Sequence, residues 1–476
     1  MSAKVIKAWA AKAAKRALAL ESVNLESLGL RMLRSRSSAA DCVSLISPSF
    51  RHGRNPVSST MRYRASRDLS RRFTEVFKIK ILVALVLFAA LAATARASDH
   101  FDSPATVANP QADIGDVYAW ISPEGRQLNL AMTIQGHSFS DKVQYALHID
   151  SGKVFGHTSA STTIVCHFAA ANAVNCKVGN ADSASGDPTG LSGLEGRNHR
   201  FRVYAALRDD PFYNNLKGLL GAYAAASAAI KNGVPVDAAG CRQFNGATAK
   251  TILDQMGHTD GGPAQNLLYN WTASAIVISV DLDVVARGGT LLAVWGTTSI
   301  AGKPLDRMGL PFVKDTLLGS SPSSTDDASG VRRQQFNAAQ PMSSMGFIAD
   351  IQKMLALQDA LDGKCGNQLL AGPEESPSRY RTLAKLFAED RLWVDSTSSV
   401  CTQFFAVELT NLRGRKEFSH DCGGRSPAYD TANVWRSLLI AGTTTGITDG
   451  LHQDEHPPSA AVFPFLAPPD PNGVNH

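Results

Sequence analysis

The chain lacks several patterns by which membrane proteins and common enzymes are recognised in a sequence. Its longest apolar run, Ile81 to Ala93, has thirteen residues, against about 20 for a membrane-spanning helix. The sequence contains no CxxC pair, no GxSxG motif and no glycine-rich phosphate loop. These absences argue against a thioredoxin-like or zinc-ribbon site, a serine nucleophile elbow and a nucleotide cofactor. We also find no internal repeat.

The apolar run has the features of an export signal. Basic residues precede it, and the small-residue pattern Ala95-Arg96-Ala97 follows it before Ser98, as in a site cut by a signal peptidase. We therefore expect residues 1–97 to be removed on export, leaving no membrane span. A signal peptide normally begins within about 30 residues of the start codon. We therefore interpret residues 1–60 as a mis-assigned extension and Met61 as the start of translation. A real extension of the signal peptide is the alternative.

Charge divides the chain at the same point. Residues 1–97 hold 18 Lys and Arg against 5 Asp and Glu, a net of +13, whereas the whole chain has a net charge of +5. The remaining residues therefore carry a net charge of −8. Because the basic excess lies in the segment expected to be discarded, we do not expect a nucleic-acid partner.

Cysteine usage agrees with export to the periplasm or the medium. Only one of the seven cysteines precedes Ser98, and six in an oxidising compartment allow three disulfides. Cys166 and Cys176 flank a short turn and would pair across a hairpin, while Cys401 and Cys422 could close a second local loop. The full connectivity stays open. The six disulfide candidates are Cys166, Cys176, Cys241, Cys365, Cys401 and Cys422.

Short runs rich in Val, Ile, Tyr and Trp, separated by turn residues, dominate residues 98–310 and indicate strands. In the run from Leu128 to Ile134 the apolar residues alternate onto one face. The pattern predicts a mainly β fold with α additions (α+β): an antiparallel β-sandwich-like core with a more helical C-terminal part. A barrel or a propeller is the alternative. The candidate strands are 117–121, 128–134, 143–149, 162–168, 200–207, 275–282 and 291–296.

The helical signals lie mostly later in the chain. An Ala- and Leu-rich passage at 215–230 reads as an insertion, and helical spacing recurs at 347–361, 378–390 and 431–441. We expect a β-rich part at 98–310, a linker loop at 311–330, a mainly helical part at 331–469 and a tail at 470–476.

Seven strings of the sequence stand out together: Ser98–Pro104, Ala112–Trp120, Leu207–Phe212, Asp306–Gly309, Phe336–Pro341, Asp449-Gly450 and Phe463–Pro469. In combination they resemble an exported bacterial family known as domain-of-unknown-function family 4331. The resemblance covers nearly all of residues 98–469 and implies export, but it implies no activity and no catalytic residue. The six cysteines and the histidines at 452–456 depart from the family pattern.

The expected new amino terminus is a candidate metal site. Cleavage after Ala97 would leave Ser98-Asp99-His100, in which the terminal amine, two amide nitrogens and the imidazole can form a square-planar site for Cu(II) or Ni(II). A histidine in third place by chance is the alternative.

Acidic and histidine side chains give weaker candidates. The aspartates at turns could bind Ca(II) or serve acid–base chemistry, but most fit a turn-forming role. Arg208 to Pro211 and Asp306-Arg307 favour a buried network that braces the sheet ends. Two segments, His148 to His157 and His452 to His456, could hold zinc.

These observations favour a secreted or periplasmic, non-catalytic binding or structural protein. Its partner would be a small ligand, a metal or a cell-surface component. The alternative is a metal-dependent extracytoplasmic hydrolase that uses the loops at 208–212 and 306–309. Bound metal and a response to chelators would favour the metal-dependent interpretations.

Overall fold

A computed structural model describes residues 103–319, 327–373 and 376–471. The predicted signal and the candidate copper ligands Ser98, Asp99 and His100 lie outside the described residues. Within the described part, no helix has the length and apolar character needed to cross a membrane.

Two antiparallel sheets pack face to face. The first has the strand order β1-β2-β11-β8-β7, and the second has the order β6-β5-β4-β3-β12-β13, with β14 also paired to β12. Among the described residues neither sheet closes into a barrel, so the sandwich-like core is confirmed. The strands are β1 Ile114–Ile121, β2 Gln127–Ile134, β3 Val143–Gly152, β4 Ala160–Ala170, β5 Ala173–Val178, β6 Asp182–Gly186, β7 Leu194–Glu195, β8 Phe201–Asp209, β9 His258–Thr259, β10 Gly262–Pro263, β11 Thr272–Asp281, β12 Leu291–Ile300, β13 Lys303–Met308 and β14 Leu392–Asp395.

The two sheets approach each other closely at Gly296 of β12. A Cβ atom there would lie 2.8 Å from Met132 Sδ and 3.2 Å from a methyl of Val117. Val117 and Met132 pair across β1 and β2, and they therefore face the second sheet. Because side chains alternate along a strand, neighbouring Tyr118 and Thr133 face away from it. This outer face is also buried, so β1 shows no exposed position.

Helices cover the sheets and fill the C-terminal part. The last long helix shows both expected end signals: Asp430 accepts from the backbone N–H of Asn433 at 3.1 Å, and Gly442 takes a left-handed conformation at φ 67°. The helices are α1 Pro104–Ala108, α2 Leu216–Lys231, α3 Gly246–Met256, α4 Leu282–Val285, α5 Val313–Leu317, α6 Asp327–Asn337, α7 Ile348–Asp359, α8 Arg381–Glu389, α9 Ala406–Arg413 and α10 Thr431–Ala441, with 3-10 turns at Pro110–Ala112, Pro341–Phe347, Ala360–Asp362 and Lys416–Phe418.

The candidate strands all coincide with strands of the structure, and the four helical passages coincide with α2, α7, α8 and α10. The range 311–330 contains α5 and the start of α6, rather than a loop throughout its described residues. β14, which follows that range in the chain, pairs with β12, which precedes it. The division into parts at 311–330 stays a prediction about domains.

Three disulfides brace the fold, and all six candidate cysteines take part. Cys166–Cys176 joins β4 to β5, and Cys401–Cys422 closes a second local loop, so both predicted local pairings are confirmed. Cys241–Cys365 spans 124 positions of sequence and joins the loop before α3 to the stretch that follows α7 and the 3-10 turn Ala360–Asp362. Disulfides of this number are typical of proteins that fold in an oxidising compartment.

Candidate metal centre

A cluster of two aspartates and one histidine forms where β8 ends. Asp209 is the last residue of β8, and Asp454 and His456 come from the C-terminal coil. One ligand atom from each of the three residues lies within 4.8 Å of the others. His456 Nδ1 is 3.3 Å from Asp209 Oδ1. Asp209 and Asp454 are buried, whereas the side chain of His456 is 38% exposed, so the cluster reaches solvent on its histidine side.

Local backbone contacts hold the cluster in place. The Asp209 N–H donates to the carbonyl of Ala467 at 3.2 Å, which ties the edge of β8 to the C-terminal coil. The N–H of His456 donates to Asp454 Oδ1 at 2.8 Å. This turn, in which an aspartate accepts from the N–H two residues on, is a common local motif. It places the carboxylate and the imidazole side by side.

Negative charge accumulates in the cluster. Burial, followed by the charges of Asp454 and Asp210, raises the pKa of Asp209 to about 9. Burial also raises the pKa of Asp454, to about 6. Asp209 and Asp454 are hydrogen-bonded to each other, which requires a proton between two carboxyl groups. The cluster therefore favours positive charge, from either a proton or a cation.

A further carboxylate lies on the other side of the imidazole. His456 Nε2 is 3.9 Å from Asp470 Oδ2, while Nδ1 faces Asp209. In metal sites a ligating histidine commonly directs its second ring nitrogen toward a carboxylate, which orients the ring. Asp470 occupies the position of such an orienting group.

A second polar cluster lies behind the first, on the outer face of the first sheet. Asp210 accepts from Tyr118 Oη at 3.1 Å and from Thr133 Oγ1 at 2.6 Å. The guanidinium of Arg425 pairs with Asp116 and lies 4.2 Å above the ring of Tyr118. Burial, together with the charge of Asp116, raises the pKa of Asp210 to about 7. These groups contact one another and form a buried support for the end of β8.

Asp306 and Arg307 have a structural role. Lys314 Nζ contacts Asp306 at 2.7 Å, and both side chains are fully buried. Arg307 Nε is 3.5 Å from Asp390, and the guanidinium lies 4.0 Å from the ring centroid of Phe336. These contacts agree with the expected bracing network. The cluster of Asp209, Asp454 and His456 includes no residue of 306–309.

The other zinc candidate of the sequence is not assembled in the described structure. His148 stacks on Trp295 with centroids 4.8 Å apart, and its Nε2 lies 2.8 Å from Thr297 Oγ1. Burial lowers its pKa to about 4. Asp150 lies 3.5 Å from Arg391. The backbone of His157 closes a turn with Val154.

A third group of potential ligands, Asp237, Cys241 and Cys365, is also close together. Its two sulfur atoms form a disulfide and are therefore not available as thiolate ligands. Asp237 instead pairs with Arg379 at 2.6 Å. This group is a brace around the longest disulfide loop.

Sequence patterns pointed separately to both parts of the candidate metal centre, but did not indicate that they meet. They indicate the segment at 452–456 as a zinc candidate and place Asp209 in a buried network expected to brace the sheet ends. The structure divides that segment: Asp454 and His456 enter the cluster, while His452 faces Asp430 at 3.7 Å and Glu455 accepts from Asn266 at 2.9 Å. No sequence pattern pointed to Asp470, which follows two prolines in the coil.

Comparison with known proteins gives no match to any family model, to any curated protein or to any solved structure. The resemblance to domain-of-unknown-function family 4331 therefore stays a prediction.

Proposed function

We propose that the protein is an exported binding protein whose ligand is a divalent metal ion, with zinc as the first candidate, at Asp209, Asp454 and His456. The observation that carries this proposal is the convergence of three ligand-type side chains from two distant parts of the chain, with donor atoms within 4.8 Å.

The donor set selects among metals. Calcium and magnesium prefer oxygen ligands alone. An imidazole nitrogen beside two carboxylates suits zinc and other first-row divalent metals better. The absence of a thiolate donor in the cluster disfavours Cu(I).

The electrostatics support a cation. Asp209 and Asp454 share a proton when no cation is bound, and a divalent ion would replace that proton with two positive charges. Binding then releases a proton, as is usual when metal ligands must be deprotonated. Asp470 would keep the imidazole in the orientation that directs Nδ1 to the metal.

Export is part of the proposal. Its support is the predicted signal at residues 1–97, the three disulfides and the family resemblance. The copper site at Ser98-Asp99-His100 is a separate proposal and would be formed by the new amino terminus. Both sites can exist in one molecule because they share no residue.

Zinc titration by calorimetry, with metal content measured after dialysis, tests the proposal. The experiment uses a His100→Ala background so that the amino-terminal site does not contribute. We expect one zinc ion per chain, loss of binding in His456→Ala, and retention of binding in His452→Ala. The matched control removes a histidine from the same coil that lies outside the cluster. Equal zinc affinity in His456→Ala and the wild type would refute the proposal.

A metal-dependent hydrolase is the second candidate. A zinc ion with three protein ligands keeps a coordination position for water, and the cluster is open to solvent at His456. Hydrolysis of ester, amide or phosphate substrates by the zinc-loaded protein, lost in His456→Ala and kept in His452→Ala, would favour this candidate. Turnover that is equal in both variants would count against it.

A further inference from the structure

We propose that the metal ion fastens the C-terminal segment, residues 451–471, to the edge of the first sheet, so that metal binding controls whether this segment is docked. This inference rests on the proposed function, because it assigns a role to the same site.

The C-terminal segment has no helix or strand of its own. It contains six prolines, which cannot donate ladder hydrogen bonds, and its described residues are coil and turns. Its position therefore depends on side-chain contacts and on isolated hydrogen bonds. Segments held in this way are the ones most easily opened by local unfolding.

Aromatic side chains hold the middle of the segment against the sheet. Phe465 lies edge-on to Trp120 of β1, with centroids 4.8 Å apart. The indole N–H of Trp120 donates to the carbonyl of Ala460 at 2.9 Å. The ring of Phe463 lies 4.2 Å from the guanidinium of Arg202 in β8. These contacts lie between the two places where the segment supplies acidic and histidine side chains.

The metal candidate joins the segment to the sheet. Two of its three ligands, Asp454 and His456, belong to the segment, while Asp209 belongs to β8. Asp470 approaches the same imidazole from the far end of the segment. A metal ion at this site would link both ends of the segment to β8 through one histidine.

Without the metal, the segment is held by its aromatic contacts and by isolated hydrogen bonds. Asp454 of the segment and Asp209 of β8 bring two carboxyl groups within 4.8 Å of each other. A divalent ion would replace the proton that the two groups share and attract both carboxylates, so it would add a link between the segment and β8.

Hydrogen exchange of the whole protein, with and without zinc, tests the inference. The reporters are the amides of Ser459, Phe465 and Leu466, which donate to carbonyls within the segment, and the amide of Asp209, which donates to Ala467. If the metal site forms only when the C-terminal segment is docked, free zinc at 100 times its Kd should slow hydrogen exchange of these amides about 100-fold, because zinc then binds only the docked state. We expect this slowing in the wild type and in His452→Ala, and no slowing in His456→Ala.

The outcomes separate the inference from the proposed function. If calorimetry shows zinc binding at the cluster while exchange of these amides is the same with and without zinc, the inference is wrong and the proposed function stands. If no zinc binds, both are wrong. The comparison of wild-type protein with and without zinc does not depend on any variant being folded.

Discussion

Replacement of Asp209 by asparagine should stabilise the metal-free protein at neutral and alkaline pH. Burial and neighbouring carboxylates raise the pKa of Asp209 to about 9, against about 3.9 in an unfolded chain. The native protein therefore keeps a proton that the unfolded chain has released between these values. For a raised pKa, this contribution to stability is complete below about pH 4 and is lost as pH rises toward 9.

The size of the effect follows from the number of protons. One proton held only by the native state gives a slope of about −1.4 kcal/mol per pH unit in the free energy of unfolding. Between pH 6 and pH 8 the wild type should lose about 1 to 3 kcal/mol more than Asp209→Asn, where the lower value allows for screening by solvent at the cluster. The asparagine amide can still donate to Asp454, so the hydrogen bond between the two residues is kept.

Urea denaturation in EDTA, with the disulfides intact, measures this slope at several pH values. Asp260→Asn is the matched control, since Asp260 forms only an exposed pair with Lys217 and its replacement should leave the pH dependence unchanged. Parallel stability curves for the wild type and Asp209→Asn would refute the electrostatic reasoning. Added zinc should reverse the order, stabilising the wild type and not the variant.

Three further predictions follow from other parts of the chain. Replacing Cys241 and Cys365 by alanine opens a loop of 124 positions and should lower the free energy of unfolding by about 4 to 5 kcal/mol. Tm should therefore fall further than when the short Cys166–Cys176 disulfide is removed. A larger fall on removal of the short disulfide would contradict the loop-entropy argument. Arg425→Leu removes the guanidinium that pairs with the buried carboxylate of Asp116 and should cost about 3 to 5 kcal/mol in urea denaturation. A loss under 1 kcal/mol would show that the network is not needed. In protein that begins at Ser98, His100→Ala should abolish tight Cu(II) binding, as measured by calorimetric titration. An unchanged Cu(II) affinity in this variant would refute the amino-terminal site.

Much of the secondary structure could be predicted because its signals are local. The alternation of apolar residues in the run from Leu128 to Ile134 is visible in the sequence, and β2 covers Gln127–Ile134. The hairpin disulfide between Cys166 and Cys176 was predictable for the same reason, since its partners face each other across β4 and β5. Sheet order was not predictable, because pairings such as β3 with β12 join residues about 150 positions apart.

The candidate metal centre could be predicted only in fragments. Asp454 and His456 are close in sequence, and their segment was named as a zinc candidate. Asp209 lies about 245 positions earlier, and its approach depends on the C-terminal segment returning to the edge of β8. The histidine that enters the cluster could not be told from His452, because their separation depends on how a proline-rich coil turns.

X-ray absorption spectroscopy at the zinc edge tests the central claim most directly. In the His100→Ala background, the zinc-loaded protein should show a first shell of nitrogen and oxygen ligands with one imidazole and no sulfur, as Asp209, Asp454 and His456 require. Two or more imidazoles, or a sulfur ligand, would contradict the account.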